Sequence, residues 1–495
     1  MFPIDIHKLL DQFRYHQEEP LIFNSGFFLF LFTAFLTIYT TLQKTHRAKL
    51  TFVTLFSLYF YYKSSGIYFL ILIGSIIIDF GLANLIYRAT TQTKKMFMLS
   101  FSLVINLGML GYFKYTNFIH EIFSGMADLS YEPFDIFLPV GVSFFTFQSL
   151  SYTIDIYRGT LKPVNNILDY AFFVSFFPQL VAGPIVRAAD FLPQIDKPTL
   201  VTKEMFGRGT YLICTGLFKK AIISNYISLN FVDRIFDAPT LYTGLENLFG
   251  VYGYALQIYC DFSGYSDMAI GIALLLGFQF CLNFDSPYQS KNITEFWRRW
   301  HMSLSSWLKD YLYISLGGNR KGKLRTYLNL FLTMLLGGLW HGASFRFILW
   351  GAMHGAALMV HKFFLSLFPI TSTKKFLPEK LSNLIGVILT FHFVCFCWIF
   401  FRAGNMEIAG QMISQITTHF TPQIFLEFVS GYKIVLSLMI VGYLLHFIPK
   451  EIESKAEQWF TEISLTAKAA IMIAIVLLVI QTKSAGIQPF IYFQF

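Results

Sequence analysis

The stretch TEFWRRWHMSLSSWLKDYLYISLGGNRKGKLRTYLNLFLTMLLGGLWHGAS, residues 294–344, differs most sharply from the rest of the chain. It places two histidines beside tryptophans, Trp300-His301 and Trp340-His341, and sets a dense basic loop between them. The sequence on either side is mostly apolar. Because polar and charged groups are costly to bury without partners, this stretch predicts a functional region inside an apolar protein.

The composition indicates an integral membrane protein built from helices. Of 495 residues, 55% are hydrophobic and only 14% are charged, whereas soluble domains carry about 25% charged residues. The apolar runs are long and continuous, unlike the alternating strands of a membrane barrel. The net charge of +9 resides in short loops between these runs. That pattern favours positive-inside topology over a nucleic-acid partner.

The hydropathy pattern predicts an all-α polytopic protein with about ten to twelve transmembrane and re-entrant segments. Residues 1–20 are polar and acidic, with Ile6, Leu9, Leu10 and Phe13 at helical spacing. They predict an extracytoplasmic interfacial segment, with no cleavable signal peptide. Residues 21–495 then predict a single transmembrane domain with a motif core at 134–364. Within it, residues 50–62 and 67–87 are expected to form a hairpin, and the Pro- and Gly-rich region 134–198 to form broken or re-entrant helices.

No local motif points to a metal or a permanently bound cofactor. HExxH, GxSxG, Walker and dinucleotide fingerprints are absent from the sequence, so metalloprotease, serine hydrolase and nucleotide-triphosphatase functions have no local support. The five cysteines, Cys214, Cys260, Cys281, Cys395 and Cys397, include no CxxC pair. They are expected to be small buried hydrophobic residues.

His341 is predicted to lie within the membrane. Arg325 anchors the following helix at the cytoplasmic face, and the apolar run 328–340 covers roughly 20 Å of a hydrocarbon core that is about 30 Å thick. Gly337, Gly338 and Gly342 around the histidine permit close helix packing or a bend. An ionisable residue at that depth indicates a functional site, although a histidine satisfied by a neighbouring carbonyl is an equally compatible alternative.

His301 has a weaker signal. Phe296, Trp297 and Trp300 could form one face of a helix at the membrane interface, and an aromatic and arginine belt at the lipid headgroups would explain Arg298 and Arg299 without any catalytic role. Asp261 and Asp267 interrupt another apolar run. Because buried carboxylates need hydrogen bonds or positive charge, they are expected to brace Arg298, Arg299 or a histidine rather than to catalyse a reaction.

Five motifs together resemble the membrane-bound O-acyltransferase family, in its bacterial alginate O-acetylation (AlgI-like) branch. They are FPQLVAGPIVR at 177–187, DFSGYSDMAIG at 261–271, EFWRRWH at 295–301, YLYI with GGNR at 311–320, and GLWHGAS at 338–344. The ending PFIYFQF at 489–495 also resembles that branch. One small departure is Phe345, where the family often has Trp.

The resemblance implies a ring of tilted helices around a central membrane funnel, with the acyl donor entering from the cytoplasm. It implies that His341 is the catalytic histidine and that His301 is the second active-site position. Other motif residues become candidates for donor binding or support of the site: Arg298, Arg299, Trp300, Trp340, Asp261, Asp267, Asn319 and Arg320. A neutral histidine suits this chemistry, because a base must take the proton of the attacking hydroxyl.

The expected function is a membrane O-acetyltransferase of the bacterial cytoplasmic (inner) membrane. Acetyl-CoA, or another acyl thioester, would donate from the cytoplasm, where the basic loop 291–325 suits the phosphates of coenzyme A. The acceptor would be an extracytoplasmic polysaccharide, reached directly or through an esterase-like partner protein. The alternatives are D-alanyl transfer from a carrier protein to teichoic acid, a transporter, or a non-catalytic scaffold of an acetylation complex.

Overall fold

The computed structural model describes residues 7, 11–17, 19–42, 44–197, 200–368 and 378–482. Most of the predicted interfacial helix within residues 1–20, most of the basic loop 374–380 and the ending at 489–495 lie outside these residues. The described chain is α-helical and contains no strand, so the all-α prediction is confirmed.

The α-helices follow one another along the chain with short connections. They are Gly26–Thr41, His46–Ser65, Phe69–Arg88, Gln92–Met126, Val142–Arg158, Ile167–Ser175, Phe177–Leu180, Ala188–Ile195, Lys203–Leu217, Asn225–Ile227, Asp233–Asp237, Gly244–Leu275, Ile293–Arg299, Met302–Trp307, Gly322–His341, Phe345–Leu367, Glu379–Arg402, Met406–Thr418, Phe425–Gly431, Lys433–His446, Lys450–Glu462 and Leu465–Thr482. Single 3₁₀ turns lie at Gly66–Tyr68, Pro239–Leu241, Pro287–Gln289 and Pro422–Ile424, and π-helical turns at Phe218–Ser224, Ser228–Val232 and Leu308–Tyr313.

Several helices are long and apolar enough to cross a membrane. By length and composition these are the helical run His46–Arg88, which contains two of the helices, and the helices Gln92–Met126, Phe345–Leu367 and Glu379–Arg402 among the described residues. Two bent pairs in the last quarter of the chain, with bends of 93° and 117°, raise the total to six if each pair is one span. Together with the shorter broken helices, this agrees roughly with the ten to twelve segments expected and confirms a multi-pass membrane protein.

The structure confirms the predicted hairpin at residues 50–62 and 67–87. The helices His46–Ser65 and Phe69–Arg88 meet at a 3₁₀ turn, Gly66–Tyr68, and both pack on the short helix Ile167–Ser175. Arg47 pairs with Asp169 at 2.9 Å, and the ring of Phe80 lies 6.3 Å from that of the next residue, Tyr170. In one straight helix residues 47 and 80 would lie about 50 Å apart, so the chain reverses between the two helices. Gly66 has φ +57°, a conformation that glycine adopts without steric cost. The reversal therefore lies between the two apolar runs, where the hydropathy pattern predicted it.

The internal contacts divide the described chain into two compact units. The first holds the described residues up to Ile213 together with Met268–Cys281, and the second holds Cys214–Asp267 and the described residues from Leu282 onward. Whether residues 21–495 form a single domain stays a prediction. Both predicted histidines, His301 and His341, lie in the second unit.

The first unit contains the broken helices that the prolines and glycines of residues 134–198 predicted. Short helices at Ile167–Ser175, Phe177–Leu180 and Ala188–Ile195 replace a continuous span there. Irregular backbone within a membrane protein has to be covered by protein. Phe172, Phe176 and Phe191 are fully buried against this backbone, with ring centroids 5.0–5.8 Å apart.

In the second unit, two helices cross with their backbones in direct contact near His341. The helices Gly322–His341 and Phe345–Leu367 meet at Gly338 and Gly351. A Cβ atom on Gly338 would lie 2.3 Å from the carbonyl oxygen of Phe347, and one on Gly351 would lie 2.5 Å from the carbonyl oxygen of Met334. The two backbones therefore touch because neither residue has a side chain, as in other small-residue crossings in membranes.

Candidate active site

His341 is the last residue of the Gly322–His341 helix, and the chain leaves the helix at Gly342. The imidazole is 3% exposed. Its ring centroid lies 5.0 Å from that of Trp340, 5.1 Å from Trp350 and 5.3 Å from Phe401. The apolar helix predicted from residues 328–340 is present, and it delivers the histidine into an aromatic pocket.

The turn after His341 requires the glycine that follows it. A Cβ atom on Gly342 would lie 2.0 Å from the ring of Phe347. Phe347 is itself buried against Phe401, at 5.1 Å between centroids. The sequence His341-Gly342 thus lets the next helix fold back directly over the end of the histidine helix, which encloses the imidazole.

His301 lies at a break between two short helices. The helix Ile293–Arg299 ends before it and Met302–Trp307 begins after it, and His301 itself has φ +44°. Left-handed backbone is uncommon for a residue with a side chain and is concentrated at functional sites. The imidazole is fully buried, 4.6 Å from the ring of Phe262 and 3.1 Å, through Nδ1, from Oδ1 of Asn283.

Trp340 joins the two histidines into one cluster. Its indole lies 6.4 Å from the ring of His301 and 5.0 Å from that of His341, centroid to centroid. His301 and His341, 40 positions apart in the sequence, therefore lie against the same side chain. The interfacial belt considered for His301 does not describe this arrangement, because His301 and Trp300 are both buried.

Trp300 extends the cluster to a second set of rings. Its indole is 5.0 Å from Trp398, and Trp398 is stacked with Trp350 at 5.9 Å. Trp350 in turn contacts His341. The predicted site residues Trp300 and Trp340 thus both lie in the wall that surrounds the two imidazoles.

His354, which the sequence analysis did not single out, lies in the same wall. Its ring lies 4.7 Å from Trp350, and its Nδ1 accepts a hydrogen bond from the indole Nε1 of Trp297 at 3.3 Å. Thirteen positions separate His354 from His341, and the crossing at Gly338 and Gly351 folds them together. Spacing along a single helix could not have predicted that His341 and His354 both contact Trp350.

The two predicted carboxylates pair with lysines and not with arginines or histidines. Lys220 forms an ion pair with Asp261, and both side chains are almost fully buried. Lys219 pairs with Asp267 at 2.8 Å. The expectation that Asp261 and Asp267 brace Arg298, Arg299 or a histidine is therefore not met in their ion pairs, because adjacent lysines on the Phe218–Ser224 turn supply the positive charge.

The arginines of the EFWRRWH motif face other partners. Arg298 is exposed. Arg299 pairs with Glu295 one turn earlier, at 2.8 Å, and donates to the backbone carbonyl of Asp285 at 3.3 Å. Arg299 therefore fastens its own short helix to the loop that precedes it, while Arg298 remains available at the surface.

Asn319 and Arg320 are exposed in the basic segment that precedes the His341 helix. The side-chain oxygen of Asn319 accepts hydrogen bonds from the hydroxyl of Tyr313 at 2.5 Å and from the Lys362 ammonium at 3.1 Å. Lys321, Lys323 and Arg325 follow Arg320 closely, and all are exposed. This surface presents several positive charges at the start of the helix whose other end carries His341.

Asn283 is a site residue that the sequence analysis missed. It is fully buried, and its amide contacts both His301 and Ser303. A lone asparagine before the EFWRRWH motif has no distinguishing pattern. The only available signal was an amide-bearing residue within an otherwise apolar run.

Comparison with known proteins identifies the family. The family model described as the membrane-bound O-acyltransferase (MBOAT) family matches residues 161–403. The chain is similar to a probable alginate O-acetylase, AlgI, of Pseudomonas syringae pv. tomato, with 41% identity over 398 residues, 79% of this chain and 74% of the relative.

Two further relatives differ in their stated substrates. A peptidoglycan O-acetyltransferase of Helicobacter pylori is 38% identical over 424 residues, covering 79% of each chain. A teichoic acid D-alanyltransferase of Bacillus subtilis is 31% identical over 281 residues, 54% of this chain and 70% of the relative. The two acetyl-transferring relatives thus match a larger share of this chain than the D-alanyl-transferring one.

Proposed function

Because the chain belongs to the membrane-bound O-acyltransferase family, we propose that it transfers an acetyl group from cytoplasmic acetyl-CoA to a hydroxyl of an extracytoplasmic polysaccharide. It is an acyltransferase and a multi-pass membrane protein. The observation that carries the proposal is the pair of buried imidazoles, His301 and His341, that share contact with Trp340.

In the proposed reaction, His341 takes the proton of the acceptor hydroxyl as the oxygen attacks the thioester carbonyl. The new C–O bond forms, the C–S bond breaks, and the thiolate of coenzyme A leaves and takes the proton from the His341 imidazolium. Burial in a medium of low dielectric favours the neutral form of an imidazole, which is the form that can accept this proton. His301 is the second active-site imidazole.

The depth of His341 supports transfer within the membrane. The helix that carries it begins at Gly322, and Arg325 and His341 are separated by about 24 Å along the axis at 1.5 Å per residue. The hydrocarbon core is about 30 Å thick. With Arg325 at the cytoplasmic surface, His341 would lie beyond the middle of the membrane, where an acceptor approaching from the opposite side could reach it.

The exposed basic residues support a donor that carries phosphates. Arg320, Lys321, Lys323 and Arg325 lie at the start of the His341 helix, with Lys362 held nearby through Asn319. Lysine and arginine bind phosphate oxygens through charge-assisted hydrogen bonds. Coenzyme A, which has three phosphate groups, fits this surface better than an uncharged thioester.

The acceptor class follows from the relatives. Those named for alginate and peptidoglycan O-acetylation both act on polysaccharides, and each covers 79% of this chain. The acetyl group would reach the glycan directly or through a partner protein with an esterase-like serine, which would accept the acetyl group and pass it on. D-alanyl transfer from a carrier protein is the competing function.

Sealed inside-out membrane vesicles that contain the protein test the proposal. Labelled acetyl-CoA added outside should lead to O-acetyl groups inside the vesicles, on a loaded polysaccharide or on a co-expressed partner protein. Thioester-bound D-alanine on its carrier protein should give no transfer. Transfer of D-alanine but not acetyl would overturn the proposed donor, and label that accumulates inside unattached to any acceptor would indicate a transporter.

A further inference from the structure

We propose that Asn283 is a positioning residue that fixes the tautomer of His301, so that Nδ1 carries the proton and Nε2 carries the lone pair. The inference rests on the proposed function, in which His301 acts as an active-site imidazole. Asn283 lies 18 positions before His301, is fully buried and belongs to none of the family motifs identified in the sequence. Its side chain makes the contact that orients the imidazole.

The orientation of the Asn283 amide is set by a backbone donor. The N–H of Ser303 points at the side-chain atom of Asn283 assigned as Oδ1, with a nitrogen-to-oxygen distance of 3.3 Å. A backbone N–H can only donate, so the atom it faces has to be the oxygen. The other amide atom, Nδ2, donates to the hydroxyl of Ser266 at 3.1 Å. The backbone donor therefore fixes the orientation of the amide, and the Ser266 hydroxyl, which can accept as well as donate, is compatible with it.

The same oxygen then determines the proton on His301. Oδ1 of Asn283 lies 3.1 Å from Nδ1 of His301. An amide oxygen has only lone pairs to offer, so a bare Nδ1 at this distance would place two lone pairs against each other. Nδ1 therefore donates, and in the neutral imidazole the remaining nitrogen, Nε2, is the acceptor.

Ser303 favours the same tautomer of His301 as Asn283 does. Its hydroxyl donates to Oδ1 of Asn283 at 2.8 Å and lies 3.5 Å from Nδ1 of His301. Because the hydroxyl proton is engaged by Asn283, the oxygen of Ser303 presents lone pairs towards Nδ1. That also favours a proton on Nδ1.

Asn283 also secures the strained backbone that presents His301. Its own carbonyl accepts the N–H of Met302 at 2.9 Å, and its side chain accepts the N–H of Ser303. These are two of the first N–H groups of the Met302–Trp307 helix, which have no partners within that helix. One residue thus caps the helix that follows and holds the left-handed conformation at His301.

The tautomer can be read directly by nitrogen NMR. Protein labelled with ¹⁵N in its histidine rings and reconstituted in lipid gives signals from 11 histidines, and subtraction of the spectrum of the His301→Gln variant identifies the signals of His301. At neutral pH we expect a protonated Nδ1 and an unprotonated Nε2. A protonated Nε2 with a bare Nδ1, or protons on both nitrogens, would overturn the inference.

Variants at residue 283 test the consequence for activity. Asn283→Leu removes the acceptor, and acetyl transfer should fall by about tenfold or more, the scale seen when a hydrogen bond that orients a working histidine is lost. Asn283→Asp keeps an oxygen in place and should retain the Nδ1–H signal and most of the activity. Ser266→Ala is the matched control, because it removes the other partner of the amide and should leave the His301 signals unchanged.

The two readouts separate this inference from the proposed function. The NMR measurement needs no substrate, so wild-type protein that shows the expected tautomer but transfers no acetyl group refutes the proposed function alone. Folded Asn283→Leu protein with wild-type activity refutes the positioning role alone. If Asn283→Leu does not fold, the wild-type spectrum and the Asn283→Asp variant still decide the question, since loss of the Nδ1–H signal or of activity in the aspartate variant contradicts a role as acceptor.

Discussion

His301 and His341 contact the same side chain, the indole of Trp340, with ring centroids at 6.4 Å and 5.0 Å from it. Both imidazoles are buried. One histidine ends a 20-residue helix that starts in the basic segment, and the other occupies a left-handed break between two short helices. A helix end and a left-handed break in the backbone therefore place the two histidines against one aromatic residue.

Trp340 should be essential as an aromatic spacer. Trp340→Phe keeps a ring between the two histidines and should reduce acetyl transfer only moderately, whereas Trp340→Ala removes a large buried side chain and should cost about 3–5 kcal/mol of stability together with most of the activity. Initial rates in vesicles, normalised to folded protein, measure the difference. Equal rates for the alanine and phenylalanine variants would exclude the spacer role.

Gly338 should not tolerate a side chain. In Gly338→Ala the new Cβ would lie 2.3 Å from the carbonyl oxygen of Phe347, so the two helices must separate, at a cost of about 1–3 kcal/mol. The variant should unfold at a lower temperature, as monitored by size-exclusion chromatography after heating. Gly81→Ala is the matched control, because a Cβ there meets nothing within 4 Å. It should be neutral or slightly stabilising, since alanine favours helices over glycine.

Removing one partner of the Lys220–Asp261 pair should be worse than removing both. Both side chains are almost fully buried, so Lys220→Met leaves an uncompensated carboxylate and should destabilise the protein by about 3–5 kcal/mol. The double variant Lys220→Met, Asp261→Leu removes both charges and should recover part of that loss. A double variant that unfolds as early as the single one would show that the two side chains do not interact in this way.

The basic segment should act on the phosphates of the donor. Changing Arg320, Lys321 and Lys323 together to Gln should raise the KM for acetyl-CoA by about 3- to 150-fold, because each exposed charge contributes a few tenths to 1 kcal/mol. The effect on kcat should be small. With S-acetylpantetheine, which lacks phosphates, the variant and wild-type protein should react alike, and Lys455→Gln on an exposed helix serves as the control. An unchanged KM would place the donor elsewhere.

The sequence predicted the helix that carries His341 because the signals were local. The apolar run, the basic start and the flanking glycines all lie within residues 320–342. Each of these signals affects only the structure close to it in the sequence. The broken helices of residues 134–198 were predictable for the same reason, since a cluster of prolines and glycines weakens helical structure locally. Four of the five cysteines are buried as expected, and Cys281 is exposed.

The partners of the charged residues were not predictable, because they depend on which helices meet. Asp261 and Asp267 pair with Lys220 and Lys219, 41 and 48 positions away, and nothing in either segment marks the other. Asn283 and His354 reach the histidine cluster in the same manner. By contrast, the hairpin at residues 50–87 was predictable, because basic residues lie at both outer ends of its two apolar runs.

The most direct test of the account is the rate of acetyl transfer from labelled acetyl-CoA by His341→Ala protein in sealed vesicles. The comparison requires equal amounts of inserted, monodisperse protein, and His392→Ala, an exposed histidine on the Glu379–Arg402 helix, is the matched control. Loss of a general base typically lowers a rate by about 10²- to 10⁴-fold. The account predicts a loss of that size for His341→Ala and none for His392→Ala. Acetylation at the wild-type rate by His341→Ala protein would contradict it.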